Sequence, residues 1–176
     1  RYSFELLSNS VWKRKIAPLI IKKIRIPKIE KLRQAMPSKQ FRGTLLDFQR
    51  EGLDFLIKSS GNALLADEMG LGKTVQTLAY LSKEKNAFPA LIVAPLVTLT
   101  NWQREIAKFL KKKGKNGKVV EGESPSSTMI RNGKLADIGE YDFYIINYEL
   151  LAKRLPDLHN LGIRSLVCDE VQHLRS

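Results

Sequence analysis

Asn62-Ala63-Leu64-Leu65-Ala66-Asp67-Glu68-Met69-Gly70-Leu71-Gly72-Lys73-Thr74 is the stretch that decides the fold. The apolar residues 62–66 predict a short buried strand, residues 67–72 a glycine-rich turn, and residues 73–85 a helix. Strand, glycine turn and helix in that order, with Gly72-Lys73-Thr74 at the junction, form an architecture that cradles a nucleoside triphosphate. The glycines bring backbone N–H groups close to the phosphates, and the helix N-terminus adds its positive dipole end. Lys73 would meet the β- and γ-phosphates, and the Thr74 hydroxyl a Mg²⁺ ion. Asp67 stands where the general signature G-x-x-x-x-G-K-[ST] has its first glycine.

Working outward, short apolar runs alternate with helical periods from about Thr44, the pattern of a mainly parallel sheet covered by helices. Helical spacing continues through residue 58, and Ala90-Leu91-Ile92-Val93-Ala94 forms a second strand. Thr100 or Asn101 caps a helix running to about Lys113, after which the Lys/Gly tract 111–118 is a turn. Lys118-Val119-Val120-Glu121 is a short strand, and Thr128 to about Ile138 a short helix. Phe143-Tyr144-Ile145-Ile146-Asn147 and Leu166-Val167-Cys168-Asp169 are buried strands separated by a helix near Glu149–Leu155. A phosphate loop needs a carboxylate for magnesium and for polarising water at the end of a neighbouring strand. Asp169 and Glu170 stand there, Asp169 for the Mg²⁺ shell and Glu170 for orienting or deprotonating the attacking water.

Composition bounds the rest. The 176 residues are 43% hydrophobic and 27% charged, and no apolar run reaches the ~20 residues of a membrane span. The chain reads as soluble, and its start at Arg1 as that of a piece of something longer. One cysteine, Cys168, excludes an intrachain disulfide and is taken as core filler, which suits a reducing intracellular setting. The net charge of +12 favours a polyanionic partner through counterion release, with nucleic acid the obvious one. Residues 1–40 hold eleven Lys/Arg against Glu5 and Glu30, so a leader over residues 1–43 carries most of that charge. Pro18, Pro27 and Pro37 forbid one long helix there. The leader is expected to form short helices or extended pieces that lay aliphatic groups on the domain and turn the bases outward; a membrane-surface or partner-binding segment would look similar, and a solvated basic flank is the plain alternative. Residues 44–176 form the folded domain.

The motifs resemble those of the Swi/Snf family within the superfamily-two helicases. Residues 67–74 look like its motif I. Leu46-Asp47-Phe48-Gln49-Arg50-Glu51-Gly52 resembles its adenine-reading Q motif, in which Gln49 would pair with the adenine edge. The run from Leu91 to Trp102 is similar to motif Ia, which implies DNA-backbone contacts at Pro95, Leu96 and Thr98. Trp102 is taken as a packing residue in preference to a base-stacking one. Ile145-Ile146-Asn147-Tyr148-Glu149 resembles motif Ic, with Asn147 where threonine is usual, and implies DNA contact at Asn147 and Tyr148. Asp169-Glu170-Val171-Gln172-His173 is similar to motif II, with Gln172 where many members carry His.

The resemblance covers roughly Leu45 to Ser176, with five motifs in the family's order. It implies a three-layer RecA-like phosphate-loop domain preceded by a basic extension and stopping just after motif II. ATP and Mg²⁺ would bind at Gln49, Asp67, Glu68, Met69, Gly70, Leu71, Gly72, Lys73 and Thr74, with Asp169 as the second metal ligand and Lys73, Asp169 and Glu170 as catalytic groups. The partners implied are double-stranded DNA and a second RecA-like lobe that this chain lacks. The expected whole is a DNA-dependent ATPase that translocates and remodels protein–DNA complexes, intracellular and DNA-associated in cytoplasm, nucleoid or nucleus. Alone the domain would be a monomer with little activity. A nucleic-acid-binding module without turnover and an RNA helicase lobe are the alternatives. Against the second, neither an Asp-Glu-Ala-Asp motif II nor a Pro-Thr-Arg-Glu-Leu motif Ia is present.

Overall fold

The computed structural model describes residues 33–65, 70–131 and 139–170. The leader therefore lies outside the described residues up to position 32, as do Ala66–Met69 and 171–176. Helix α1 spans Asp47–Lys58 and α2 Lys73–Lys83; strand β1 is Ala90–Ala94, followed by a 3₁₀ turn at Leu96–Thr98 and α3 at Leu99–Phe109. A hairpin of β2 (Lys112–Lys113) and β3 (Val119–Val120) comes next. After it come β4 (Ser127–Met129), β5 (Phe143–Asn147), α4 (Tyr148–Leu158), a 3₁₀ turn at His159–Leu161 and β6 (Ser165–Cys168).

The main sheet has the order β4-β5-β1-β6 with every pairing parallel. Alternation along the two central strands sends successive side chains to opposite faces. Ala90, Ile92, Ala94, Phe143 and Ile145 join Leu53, Leu78, Trp102 and Ile106 in one core, beneath α1, α2 and α3. Leu91, Val93, Tyr144 and Ile146 join Leu151 and Leu158 of α4 in the other. Helices on both faces of a parallel sheet give the expected three layers, and because both faces are covered the central strands are apolar throughout.

Several expected elements differ, and α3 ends at Phe109 instead of near Lys113. Residues 62–65 join no sheet, although Ala63 and Leu65 pack against the larger core. The chain leaves α1 through left-handed Ser60 and Gly61, and the Asn62 N–H bonds back to the Ser59 carbonyl, so this stretch opens with a turn. Residues 127–129 form the edge strand β4, not a helix: they pair in register with Phe143–Ile145, and the Ile130 N–H reaches the Ile145 carbonyl. That ladder, and the burial of Ile130 at 1% exposure, override the local helical pattern. The rest of the expected helix, 132–138, lies outside the described residues.

The Lys/Gly tract is more than a turn. Lys112 and Lys113 pair antiparallel with Val119 and Val120, and Lys111 and Lys112 bridge to Glu121 and Glu123 at 2.8 and 2.9 Å. Residues 33–43, read in sequence as the end of the leader, are drawn onto the domain. Phe41 stacks on Phe109 at 5.7 Å, and the Arg42 guanidinium donates to the carbonyls of Ala107 and Glu123.

Gly61 sits at φ +71° with no room for a side chain: an added Cβ would lie 2.6 Å from the Tyr80 hydroxyl and 2.8 Å from its ring. Left-handed backbone costs an ordinary residue about 1–2 kcal/mol, and overpacking about 1–3 more. Gly61→Ala is therefore expected to lower stability by about 2–4 kcal/mol, read as a lower urea midpoint at unchanged slope.

Candidate functional site

The sheet order places the site. The connections after β1 and β5, which lie side by side, leave through α3 on one face and α4 on the other, and such a divergence opens a crevice at the carboxyl ends of the strands. An open cleft of about 440 Å³ lies there, lined by Leu96, Leu99 and Thr100 after β1 and by Asn147, Leu150 and Lys153 after β5. Strand β6 ends beside β1, and the Asp169 N–H continues the ladder by donating to the Val93 carbonyl at 2.8 Å.

Of the phosphate loop, Asp67, Glu68 and Met69 lie outside the described residues. Gly72 caps α2 in the left-handed conformation, φ +74°, and Lys73 and Thr74 are the first two helical residues, both half-buried. An added Cβ on Gly72 would stand 2.5 Å from the Gln49 amide nitrogen, so glycine is required by contact as well as by backbone. Gln49 is buried and spans two elements. Its Oε1 accepts from the Leu46 N–H at 3.0 Å at the start of α1, and its Nε2 donates to the Leu71 carbonyl at 3.4 Å. Gln76, fully buried one turn into α2, donates to the same Leu71 carbonyl at 3.4 Å. Two amides thus brace the loop from opposite helices, a role for Gln76 that sequence reading missed.

Asp169 and Glu170 follow β6 directly. Glu170 has φ +51°, a conformation in which a non-glycine residue stores strain and which is concentrated at functional sites. The Trp102 indole, 3% exposed, donates from Nε1 to Asp169 Oδ2 at 2.8 Å. Packing was thus the correct reading of Trp102, with a polar end that sequence did not reveal, although a buried indole N–H ordinarily finds an acceptor. The Tyr148 hydroxyl donates to the Asp169 carbonyl at 2.5 Å. Burial, then the neighbouring Cys168, Asp169 and Glu170 charges, push the Tyr148 phenol far above its ordinary range, so it stays a donor. Burial also pushes the Cys168 thiol up to about 12, which keeps it neutral core filler.

Of the residues expected to touch DNA, Leu96 and Asn147 line the cleft. Leu96 is 67% exposed and the Thr98 hydroxyl turns back to the Pro95 carbonyl at 2.9 Å. Asn147 is buried and caps α4 by accepting from the Leu150 N–H at 3.3 Å.

Residues 48–176 match the SNF2-related domain. The chain belongs to that family. Relatives of this SNF2-related domain include Chromodomain-helicase-DNA-binding protein 8 of Homo sapiens, 32% identical over 77% of this chain and 6% of the relative. The CHD3-type chromatin-remodeling factor CHR7 of Arabidopsis thaliana is 34% identical over 76% of this chain and 12% of its own length. Among solved structures, the Sulfolobus solfataricus SWI2/SNF2 ATPase core in complex with dsDNA superposes with a TM-score of 0.62 at 26% identity, covering 82% of this chain and 29% of the other. The SNF2-related domain described here therefore spans a small part of the length of such relatives. Its fold is that of a Swi/Snf-type, RecA-like ATPase lobe. No helix among the described residues is long and apolar enough to cross a membrane.

Proposed function

We propose that this SNF2-related domain is the ATP-binding lobe of a motor that hydrolyses ATP while tracking double-stranded DNA. The observation that carries the reading is that Asp169-Glu170, on the end of β6, is tied through the Tyr148 hydroxyl to the segment after β5, whose neighbours Asn147 and Glu149 line the cleft. One crevice would then join nucleotide chemistry to a polyanion track, with Pro95, Leu96, Thr98, Asn147 and Tyr148 along the DNA side.

Nucleotide phosphates would sit on the N–H groups that open α2, with the Lys73 ammonium against the β- and γ-oxygens. The Thr74 hydroxyl and the Asp169 carboxylate are hard oxygen donors of the type Mg²⁺ prefers, and two protein ligands suit an ion that keeps waters and phosphate oxygens around it. The ion would supply neutralisation of the phosphate charge. Glu170 would accept a proton from the water whose oxygen bonds to the γ-phosphorus. The bond from that phosphorus to the bridging oxygen breaks, and ADP carries away the electron pair. Gln49 would face the adenine from the helix that also braces the loop. Charge developing on the γ-phosphoryl group calls for arginines, worth roughly 10³–10⁵ in rate, from a second lobe. The setting we infer is intracellular and DNA-associated; relatives named as chromatin-remodelling proteins support chromatin as the form of that DNA.

The test is ATP turnover by the domain joined to its second lobe. Double-stranded DNA is expected to stimulate turnover at least tenfold and RNA to do less. No stimulation by DNA, or more by RNA, overturns the translocase reading.

A further inference from the structure

Asp169 is held at three points by three different elements. Strand β1 takes its N–H, α3 reaches its side chain through Trp102, and α4 reaches its carbonyl through Tyr148. We infer that Trp102 and Tyr148 are positioning residues, Trp102 fixing the carboxylate that faces Mg²⁺ and Tyr148 fixing the peptide plane that leads into Glu170. The inference rests on the metal-holding role proposed for Asp169.

A carboxylate on a strand end has rotational freedom about its side-chain bonds, and a ligand that must be ordered on binding binds more weakly. The indole removes that freedom by occupying Oδ2, which leaves Oδ1 as the oxygen presented elsewhere. Trp102 is itself immobile, buried in the larger core among Ile106, Ala94 and Leu99. A partner of this kind, one bond behind a metal ligand, ordinarily changes metal affinity by 10–100-fold. Tyr148 works on the backbone. The peptide plane holding the Asp169 carbonyl also bears the Glu170 nitrogen, so anchoring that oxygen restrains rotation beside the left-handed Glu170. Both residues also stand one step behind the cleft: Trp102 in the first turn of α3 after the Leu96–Thr98 turn, Tyr148 directly after Asn147. A shift of either segment therefore reaches Asp169 through one side chain.

The test uses the full 176-residue chain and a fluorescent, non-hydrolysable ATP analogue titrated with Mg²⁺. Trp102→Phe keeps an aromatic ring at this buried position and removes the N–H. It is expected to raise the Mg²⁺ concentration for half-maximal analogue binding tenfold or more, while binding without Mg²⁺ stays unchanged. A second arm leaves the indole in place. In a Trp12→Phe background Trp102 is the sole tryptophan, and its emission is expected to change on adding Mg²⁺ with the analogue and to lose that response in Asp169→Asn. If Asp169→Asn removes the Mg²⁺ dependence of binding, yet Trp102→Phe shifts it less than threefold or the Trp102 emission ignores Mg²⁺, the positioning role is overturned and the proposed site stands. Should Asp169→Asn leave the Mg²⁺ dependence intact, the role of Asp169 falls and the inference with it. Tyr148→Phe is expected to leave the Mg²⁺ requirement within threefold; a tenfold rise there would overturn the division of labour between the two anchors.

Discussion

Glu170→Gln is expected to cut ATP turnover by about 10²–10⁴-fold, the range a positioned general base contributes, while nucleotide binding changes by no more than a few fold. The substitution isolates one property. Glutamine matches glutamate in size and has no greater ease in the left-handed backbone region, so the strain at φ +51° is the same in both proteins. The bonds that hold this corner, from the Asp169 N–H to Val93 and from Tyr148 to the Asp169 carbonyl, involve neither carboxylate oxygen of Glu170. The substitution removes the acceptor proposed for the water's proton together with one negative charge. Single-turnover hydrolysis by the two-lobe protein with DNA, beside equilibrium binding of an ATP analogue, separates the chemical step from affinity. Turnover retained within tenfold of the parent would remove Glu170 from the reaction and leave it as a strained corner only.

What was legible in the sequence follows from which constraints are local. Ala90–Ala94 and Phe143–Asn147 could be read as strands because a parallel strand covered on both faces is a near-continuous apolar run, here broken only by Asn147 at the end of β5, and each of these residues is buried. Helix α3 could be read because its apolar positions repeat at the helical period above one core. Residues 62–65 and 127–129 could not be assigned in this way. Whether an apolar or mixed stretch becomes a strand depends on the ladder partner it meets, and neither Ser60–Gly61 turning nor pairing with Phe143–Ile145 is written in the stretch itself.

The candidate site divides along the same line. Gly72-Lys73-Thr74 and Asp169-Glu170 are each contiguous, as the proposed phosphate and metal chemistry requires, so their types and order point to them directly. Trp102 lies 67 residues from Asp169, and Tyr148 21, and only the order β5-β1-β6 brings these three onto one corner. Gln76 differs in being local: its amide, in the first turn of α2, meets the Leu71 carbonyl five residues back. The residues proposed to meet a ligand are thus visible as motifs, whereas side chains such as Trp102 and Tyr148 that hold them in place become visible only once the sheet is assembled.

Lys73→Ala should weaken binding of Mg²⁺ and an ATP analogue by roughly 10–100-fold, the equivalent of losing one charged hydrogen bond of about 1.5–3 kcal/mol, and should take turnover to background. Binding should not vanish, because the donors opening α2 are main-chain groups, and they keep both their geometry and the partial positive charge of a helix N-terminus after the ammonium is gone. Nor should the fold suffer. Alanine is at least as good a helix former as lysine, and the main-chain bond in which the Lys73 carbonyl accepts from the Thr77 hydroxyl at 2.8 Å is kept. Thermal melting without nucleotide should therefore overlay the parent within 2–3 °C, roughly the shift that under 1 kcal/mol produces in a domain of this size. The nucleotide-induced rise in melting temperature should shrink, since stabilisation by a ligand falls with its affinity. An affinity within threefold of the parent would mean that Lys73 does not meet the phosphates and that the nucleotide is held without its ammonium.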